Sequence, residues 1–298
     1  MVIWLNAQWR DHSPAPRVPS RVRLNLLQYS DRVRNEDEDM ENACVLGYLD
    51  EWEQKVGKKL RSDFTEELTI FERALDNLAT CISQLCLGRL DLVKKLAVED
   101  YGTLDSKTLG FFGSWVLLGE ALVRLQAARR LFLAGYLSRA LASTRDALES
   151  AMTADICRND GLQVKKWIRG KQIKLTEGYK YHPVLSWRIW KTAQGIMNPL
   201  GTHSYMEAPY LSSLPQQAIL FPDDAEVQRI YKHEGKFVLQ RMLVRCLQML
   251  LYIKHVYPEA KSQVKEFDGT VAKVTTLLER GLQIPLDELL ILRDEGGT

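Results

Sequence analysis

The sequence predicts an all-α fold, an antiparallel helical bundle with long amphipathic helices, on three observations. Apolar residues recur at steps of three and four: Leu68, Phe71, Leu75, Leu78, Ile82 and Leu85 in one stretch, and Leu137, Leu141, Thr144, Leu148 and Ala151 in another. That period gathers side chains on one face of a helix. Ile230, Phe237, Val244 and Leu251 follow at heptad spacing, and no run shows the alternation and β-branched enrichment of a strand.

Taken in order, residues 1–34 hold Pro14, Pro16 and Pro19 and six arginines with little apolar periodicity. That composition predicts a flexible basic arm. The acidic run EDEDME at 36–41 suits the positive end of a helix continuing to about Val56. A long amphipathic helix is predicted from 63 to about 98, with Gly88 placed to bend it, which completes an N-terminal helical region over 35–104. From 105 to 298 the pattern is that of a helical bundle. Asp105 or Ser106 can cap a helix over 107–134, and Gly135 breaks it from a second helix that must turn back antiparallel because the connection is so short. Pro183 can open a helix over 184–197, NPLGTHS ends it, and 205–222 reads as a long loop or lid. A final long helix runs from Asp223 or Asp224 to about Tyr257, stopped by Pro258, with shorter helices at about 260–280 and 285–292.

Composition limits the functional classes. Over 298 residues, 40 basic side chains face 38 acidic ones, so attraction to nucleic acid or membrane must come from a local patch. The five cysteines (Cys44, Cys81, Cys86, Cys157, Cys246) are scattered and lack a CxxC, which favours reduced thiols and a cytoplasmic setting over disulfides or zinc. The start MVIWLNAQWRDH lacks the pattern of a secretory signal, and the apolar runs at 111–123 and 247–253 fall short of the roughly 20 residues needed to span a bilayer. A soluble protein without membrane partner, metal or cofactor is the expectation.

No P-loop, GxGxxG, HExxH or nucleophile elbow is present, which weighs against the common nucleotide hydrolases, dehydrogenases and serine hydrolases. The five histidines lie far apart. His233 and His255 fall within the last long helix as ordinary helix residues. His203 differs, lying in the turn-rich NPLGTHS, where it could act as a general acid or base near neutral pH or simply hydrogen-bond within the turn. Within 162–204 a basic and aromatic segment is embedded. Lys165, Lys166, Arg169, Lys171, Lys174, Lys180, Arg188 and Lys191 are opposed between 162 and 191 by Glu177 alone, with Trp167, Tyr179, Tyr181, Trp187 and Trp190 interleaved. Cations neutralise phosphates and aromatic faces stack on unpaired bases, so Lys165, Lys166, Trp167, Arg169 and Lys171 are the candidate RNA-contacting residues. Solvated lysines over tryptophans packed in a core would give the same composition. Arg145 and Glu149 form an i,i+4 pair whose orientation is the weaker one, contributing roughly 0.2–0.5 kcal/mol at best, so a supporting role beside a site is also open.

The phrases AGYLSRALASTRDALESAMTADI, KKWIRGK and WKTAQGIMNPLGTHS together resemble bacterial helical proteins related to the HEPN superfamily, over about residues 107–256. The resemblance implies an antiparallel helical bundle, often dimeric, acting in some cases as an RNA-cutting toxin or defence component. Catalytic members use an Arg and a His four to six residues apart, the His promoting attack of an RNA 2′-hydroxyl. The nearest match is Asn198 with His203, which places Asn where Arg belongs, and Asn198 also precedes Pro199 where relatives have His. The resemblance therefore implies an RNA-binding or interaction protein of toxin or phage-defence type without robust catalysis. Its alternative is a metal-independent endoribonuclease in which His203 is the acid or base, Asn198 orients the scissile phosphate, and Arg145 and Glu149 support them. A third class is a structural adaptor that binds another protein, with a homodimer or a protein partner in place of RNA.

Overall fold

The computed structural model describes residues 45–89, 91, 103–171, 173, 207–262 and 264–281, and among them every regular element is an α-helix. The chain divides into two units, Met1–Glu51 and Trp52–Thr298. The predicted arm 1–34, the acidic run 36–41 and the helices at 184–197 and 285–292 lie outside the described residues.

Helix α1 (Val45–Asp63) continues past the expected end at Val56 and buries Val56 and Leu60. Helix α2 (Thr65–Leu87) follows almost without a break. At the junction Phe64 has φ −127° and ψ 36°, yet its amide donates to the Leu60 carbonyl and its carbonyl accepts from Leu68 N, both at 3.0 Å. Its buried ring lies edge-on to Phe132 at 6.0 Å and to Tyr231 at 5.8 Å, so the bend is a packing wedge. The stripe Leu68 to Leu85 is buried as its spacing predicts. Gly88, expected to bend the helix, is the C-cap of α2, donating to Gln84 O at 2.8 Å, and residues 92–98 of the expected helix lie outside the described residues. Glu72 of α2 accepts from Arg61 at 3.4 Å and also binds Arg129.

Helices α3 (Ser106–Leu133) and α4 (Leu137–Asn159) form the antiparallel pair expected around Gly135. Asp105 is the N-cap of α3, accepting from Thr108 N at 2.9 Å and from Thr108 Oγ1 at 2.7 Å. At the turn, Tyr136 N donates to Leu131 O and Gly135 N to Phe132 O, the paired bonds of a Schellman closure, with Gly135 at φ +87°. The small residues that line this hairpin let its backbones approach: a Cβ on Gly110 would stand 2.9 Å from Arg158 O. Ser143 Oγ donates across to Arg124 O at 2.7 Å. By length and composition α3 is apolar enough to cross a membrane, which the shorter run at 111–123 did not suggest, yet more than half of that window is buried within the protein. The stripe Leu137, Leu141, Thr144, Leu148 and Ala151 of α4 is buried throughout.

A short helix α5 (Gly161–Ile168) follows α4. The expected loop or lid at 205–222 is instead largely helical, α6 (Glu207–Leu220), despite Pro215 inside it. Leu211, Leu214 and Ala218 recur at helical spacing and are all buried, and that packing outweighs the proline penalty that suggested a loop. Helix α7 (Ala225–Val256) begins at the expected cap, with Asp224 Oδ1 accepting from Glu226 N and Val227 N at 3.0 and 3.1 Å. It packs against α2, α4, α6 and α9, and every residue from 238 to 250 is buried. The heptad residues Ile230, Phe237 and Leu251 are only half-buried, because the seam is carried by Tyr231, Gly235, Val238, Met242, Cys246, Met249 and Ile253. A helix buried on several sides has no single stripe for a heptad to mark. Pro258 opens the single turn α8 (Pro258–Lys261), and α9 (Phe267–Gly281) closes the described chain.

Gly135→Ala should be more damaging than Gly170→Ala. Both positions have positive φ, but a Cβ on Gly135 would lie 2.8 Å from Val56 Cγ1, whereas one on Gly170 would meet nothing within 4 Å. The left-handed conformation costs an L-residue about 1–2 kcal/mol, so thermal unfolding should show a modest Tm fall for Gly170→Ala and a larger one for Gly135→Ala.

Candidate functional site

The candidate RNA-contacting residues sit on α5 and the turn that closes it. Asp160 caps the helix, accepting from Leu162 N at 2.9 Å and from Gln163 Nε2 at 3.1 Å. The inner face is fixed by close packing: Val164 is fully buried, and a Cβ on Gly113 of α3 would lie 2.6 Å from Val164 Cγ2. At the far end Gly170, φ +73°, donates to Trp167 O at 2.8 Å while Lys171 N donates to Lys166 O at 3.0 Å. This second Schellman closure holds the segment KKWIRGK in a defined shape.

The exposed side of this element is basic with an apolar edge. Lys166, Arg169 and Lys171 are exposed, Lys165 is half-buried, and Leu162 and Ile168 stand 60% and 38% exposed beside them. No Asp or Glu occurs between 161 and 171. Trp167 is half-buried against the core while Lys166, Arg169 and Lys171 are exposed, the arrangement that solvated cations over a packed tryptophan would give. The remaining basic and aromatic residues from 174 to 191, and the candidate pair His203 and Asn198, lie outside the described residues.

Arg145 and Glu149 are joined on α4, Nη2 to Oε2 at 3.6 Å, and Arg145 Nη1 lies 4.0 Å from Asp146. Arg124 of α3 binds Glu120 at 2.7 Å and reaches Asp146 at 4.0 Å. Acid and base therefore alternate from Glu120 through Arg124, Asp146 and Arg145 to Glu149 across the outside of the hairpin. Each exposed pair contributes little singly, and the chain of pairs ties α3 to α4. Arg145 and Glu149 both belong to this network.

Two buried polar groupings were not legible in the sequence. In the first, at the end of the bundle where α3 begins and α4 and α7 end, Asp155 is fully buried with Arg158 Nη2 at 3.5 Å. Tyr257 donates to Ser114 Oγ at 2.9 Å. Burial and the neighbouring Asp155 carboxylate raise the Tyr252 hydroxyl well above its ordinary pKa, and burial raises that of Tyr257. These phenols remain protonated donors rather than bases. In the second grouping Arg241 and Arg245 lie inside the protein on α7. The spacing Asp155, Arg158, Tyr252 and Tyr257 carries no motif, so only the packing of α4 against α7 reveals the first group.

No cluster of His, Cys, Asp and Glu suited to a metal occurs among the described residues. Burial pushes the Cys81 thiol up to about 11 and, with the Asp160 charge nearby, the Cys157 thiol up to about 12. Both are poor nucleophiles at neutral pH. A shallow groove between α2 and α9 is lined by Thr69, Ile70, Arg73, Thr270 and Lys273, away from α5.

Ser114→Ala would leave the buried Tyr257 hydroxyl without its acceptor and should cost about 1–3 kcal/mol. The expected result is a lower Tm in thermal unfolding, since Ser114 lies in the core. Comparison of the chain with protein-family models, with curated proteins and with solved structures finds no match.

Proposed function

We propose that this chain is an RNA-binding helical protein of toxin or phage-defence type, without robust catalysis, which holds single-stranded RNA on the outer side of α5. The observation that carries the reading is the exposure of Lys166, Arg169 and Lys171 on one rigidly closed element that has no acidic residue. Cations there neutralise backbone phosphates, and the exposed edges of Leu162 and Ile168 offer apolar surface to an unpaired base. Anchoring through Val164 and Trp167 presents the charges without ordering them anew on binding, which limits the entropic cost of association. The resemblance of the flanking phrases to HEPN-related proteins supports RNA as the ligand, while Asn198 in place of an Arg supports binding over cleavage.

Replacing Lys165, Lys166 and Arg169 together by Glu tests the assignment by fluorescence anisotropy on a single-stranded RNA. Affinity should fall by more than tenfold, and the slope of log K against log salt should lessen by about 2, given roughly 0.7 per phosphate contact. Unchanged binding would sink the surface assignment. On mixed RNA the wild-type chain and His203→Ala should both leave the RNA intact. Cleavage by wild type that His203→Ala abolishes would replace this reading with that of a metal-independent endoribonuclease.

A further inference from the structure

Arg241 and Arg245 stand one turn apart on the same face of α7, 7% and 3% exposed. Arg245 Nη1 donates to Gln248 Oε1, and the Arg241 guanidinium lies 4.9 Å from the centre of the Phe237 ring. The Nε atoms of both are buried without a hydrogen-bond partner. Among the described residues neither arginine forms an ion pair, in contrast to buried Asp155, which has Arg158. The charged neighbour bearing on Arg245 is Arg241, a like charge.

Such an arrangement is unfavourable by itself. A buried guanidinium keeps its proton at neutral pH, and an uncompensated buried charge is strongly destabilising. The pair also leaves one N–H donor on each guanidinium, Nε, buried and unused, where it is most strongly attracted to an anion.

We propose that Arg241 and Arg245 form an internal receptor for a phosphoryl dianion, supplied as free phosphate or as the phosphate of a small phosphorylated ligand. Two positive charges one turn apart call for a ligand of charge near −2, which a phosphate monoester carries at neutral pH and a carboxylate does not. Side chains at i and i+4 have Cβ atoms about 5–6 Å apart, a separation that lets both guanidinium forks reach oxygens of one tetrahedral group. Gln248, accepting from Arg245, holds one fork in orientation, and the Phe237 ring does the same for the other. Arg241, the less buried of the two, is the outer contact and Arg245 the inner one.

The full chain is titrated with inorganic phosphate and, separately, with a nucleoside monophosphate, at ionic strength held constant with chloride, while Tm is followed. The wild type should show a saturable Tm rise. Arg241→Met and Arg245→Met should be at least as thermostable without phosphate, since a buried charge is gone, yet show a phosphate response weakened by at least about tenfold. A larger response to the nucleotide than to phosphate identifies the phosphorylated ligand as the source, and an equal or smaller one identifies free phosphate. If Arg245→Met does not fold, Arg241→Lys and the 31P NMR signal of phosphate mixed with wild type decide. The lysine keeps the charge but loses the fork, so binding should weaken with folding intact. A wild type with no saturable response, or variants with an undiminished one, would overturn the proposal.

Discussion

Close approach of α3 and α4 is the constraint on which the rest of this structure depends. Gly110 and Gly113 on one helix, and the alanines of the other, bring the two backbones so near that Ser143 reaches a carbonyl of the facing helix. Gly135 makes the reversal possible, because its positive φ admits the closing bonds and its missing side chain leaves room for Val56 of α1. The ion pairs outside the hairpin, from Glu120 to Glu149, are additions to a geometry already imposed by packing. The Arg145 and Glu149 pair, which would contribute little in isolation, is one member of that chain of pairs.

The hairpin in turn creates the interior that α7 fills. Phe64 at the bend between α1 and α2 packs where Gly235 of α7 leaves space, with a would-be Cβ only 2.6 Å from the ring. Past that point α7 is surrounded, and polar residues it carries are buried along with the apolar ones. One group of these is partly paired: Tyr257 has Ser114 and Asp155 has Arg158, while Arg158 Nε and the Tyr252 hydroxyl are buried without a hydrogen-bond partner among the described residues. The other, Arg241 with Arg245, has donors but no anion among the described residues. The same burial therefore leaves an ion-paired group at one end of the helix and two like charges in its middle.

The basic element α5 is positioned by the same hairpin, since Gly161 and Val164 press onto the first turns of α3. Its cations are held at the surface by an inner face that is part of the core, so changes in α3 near Gly113 would be felt at its basic outer side. The proposed RNA surface and the proposed phosphate receptor use different helices and different burial. An exposed cation contributes salt-sensitive affinity, whereas a buried guanidinium discriminates by charge and shape.

The sequence by itself determined the helical class, the caps to within one residue (Asp105 or Ser106, Asp223 or Asp224), the break at Gly135 and the buried stripes of α2 and α4. Each depends on neighbours within a few residues, through periodicity, capping chemistry or the permitted φ of glycine. It also placed the cations of α5 at a surface, as their lack of nearby acids suggests. Tertiary structure alone decided that 207–220 is a helix, since burial of Leu211, Leu214 and Ala218 overrides Pro215. It decided too that the seam of α7 lies beside the heptad positions, and that Arg241 and Arg245 are inside. Burial is a property of what surrounds a helix, and an arginine at i,i+4 spacing reads alike at a surface and in a core until the helices packed around it are known.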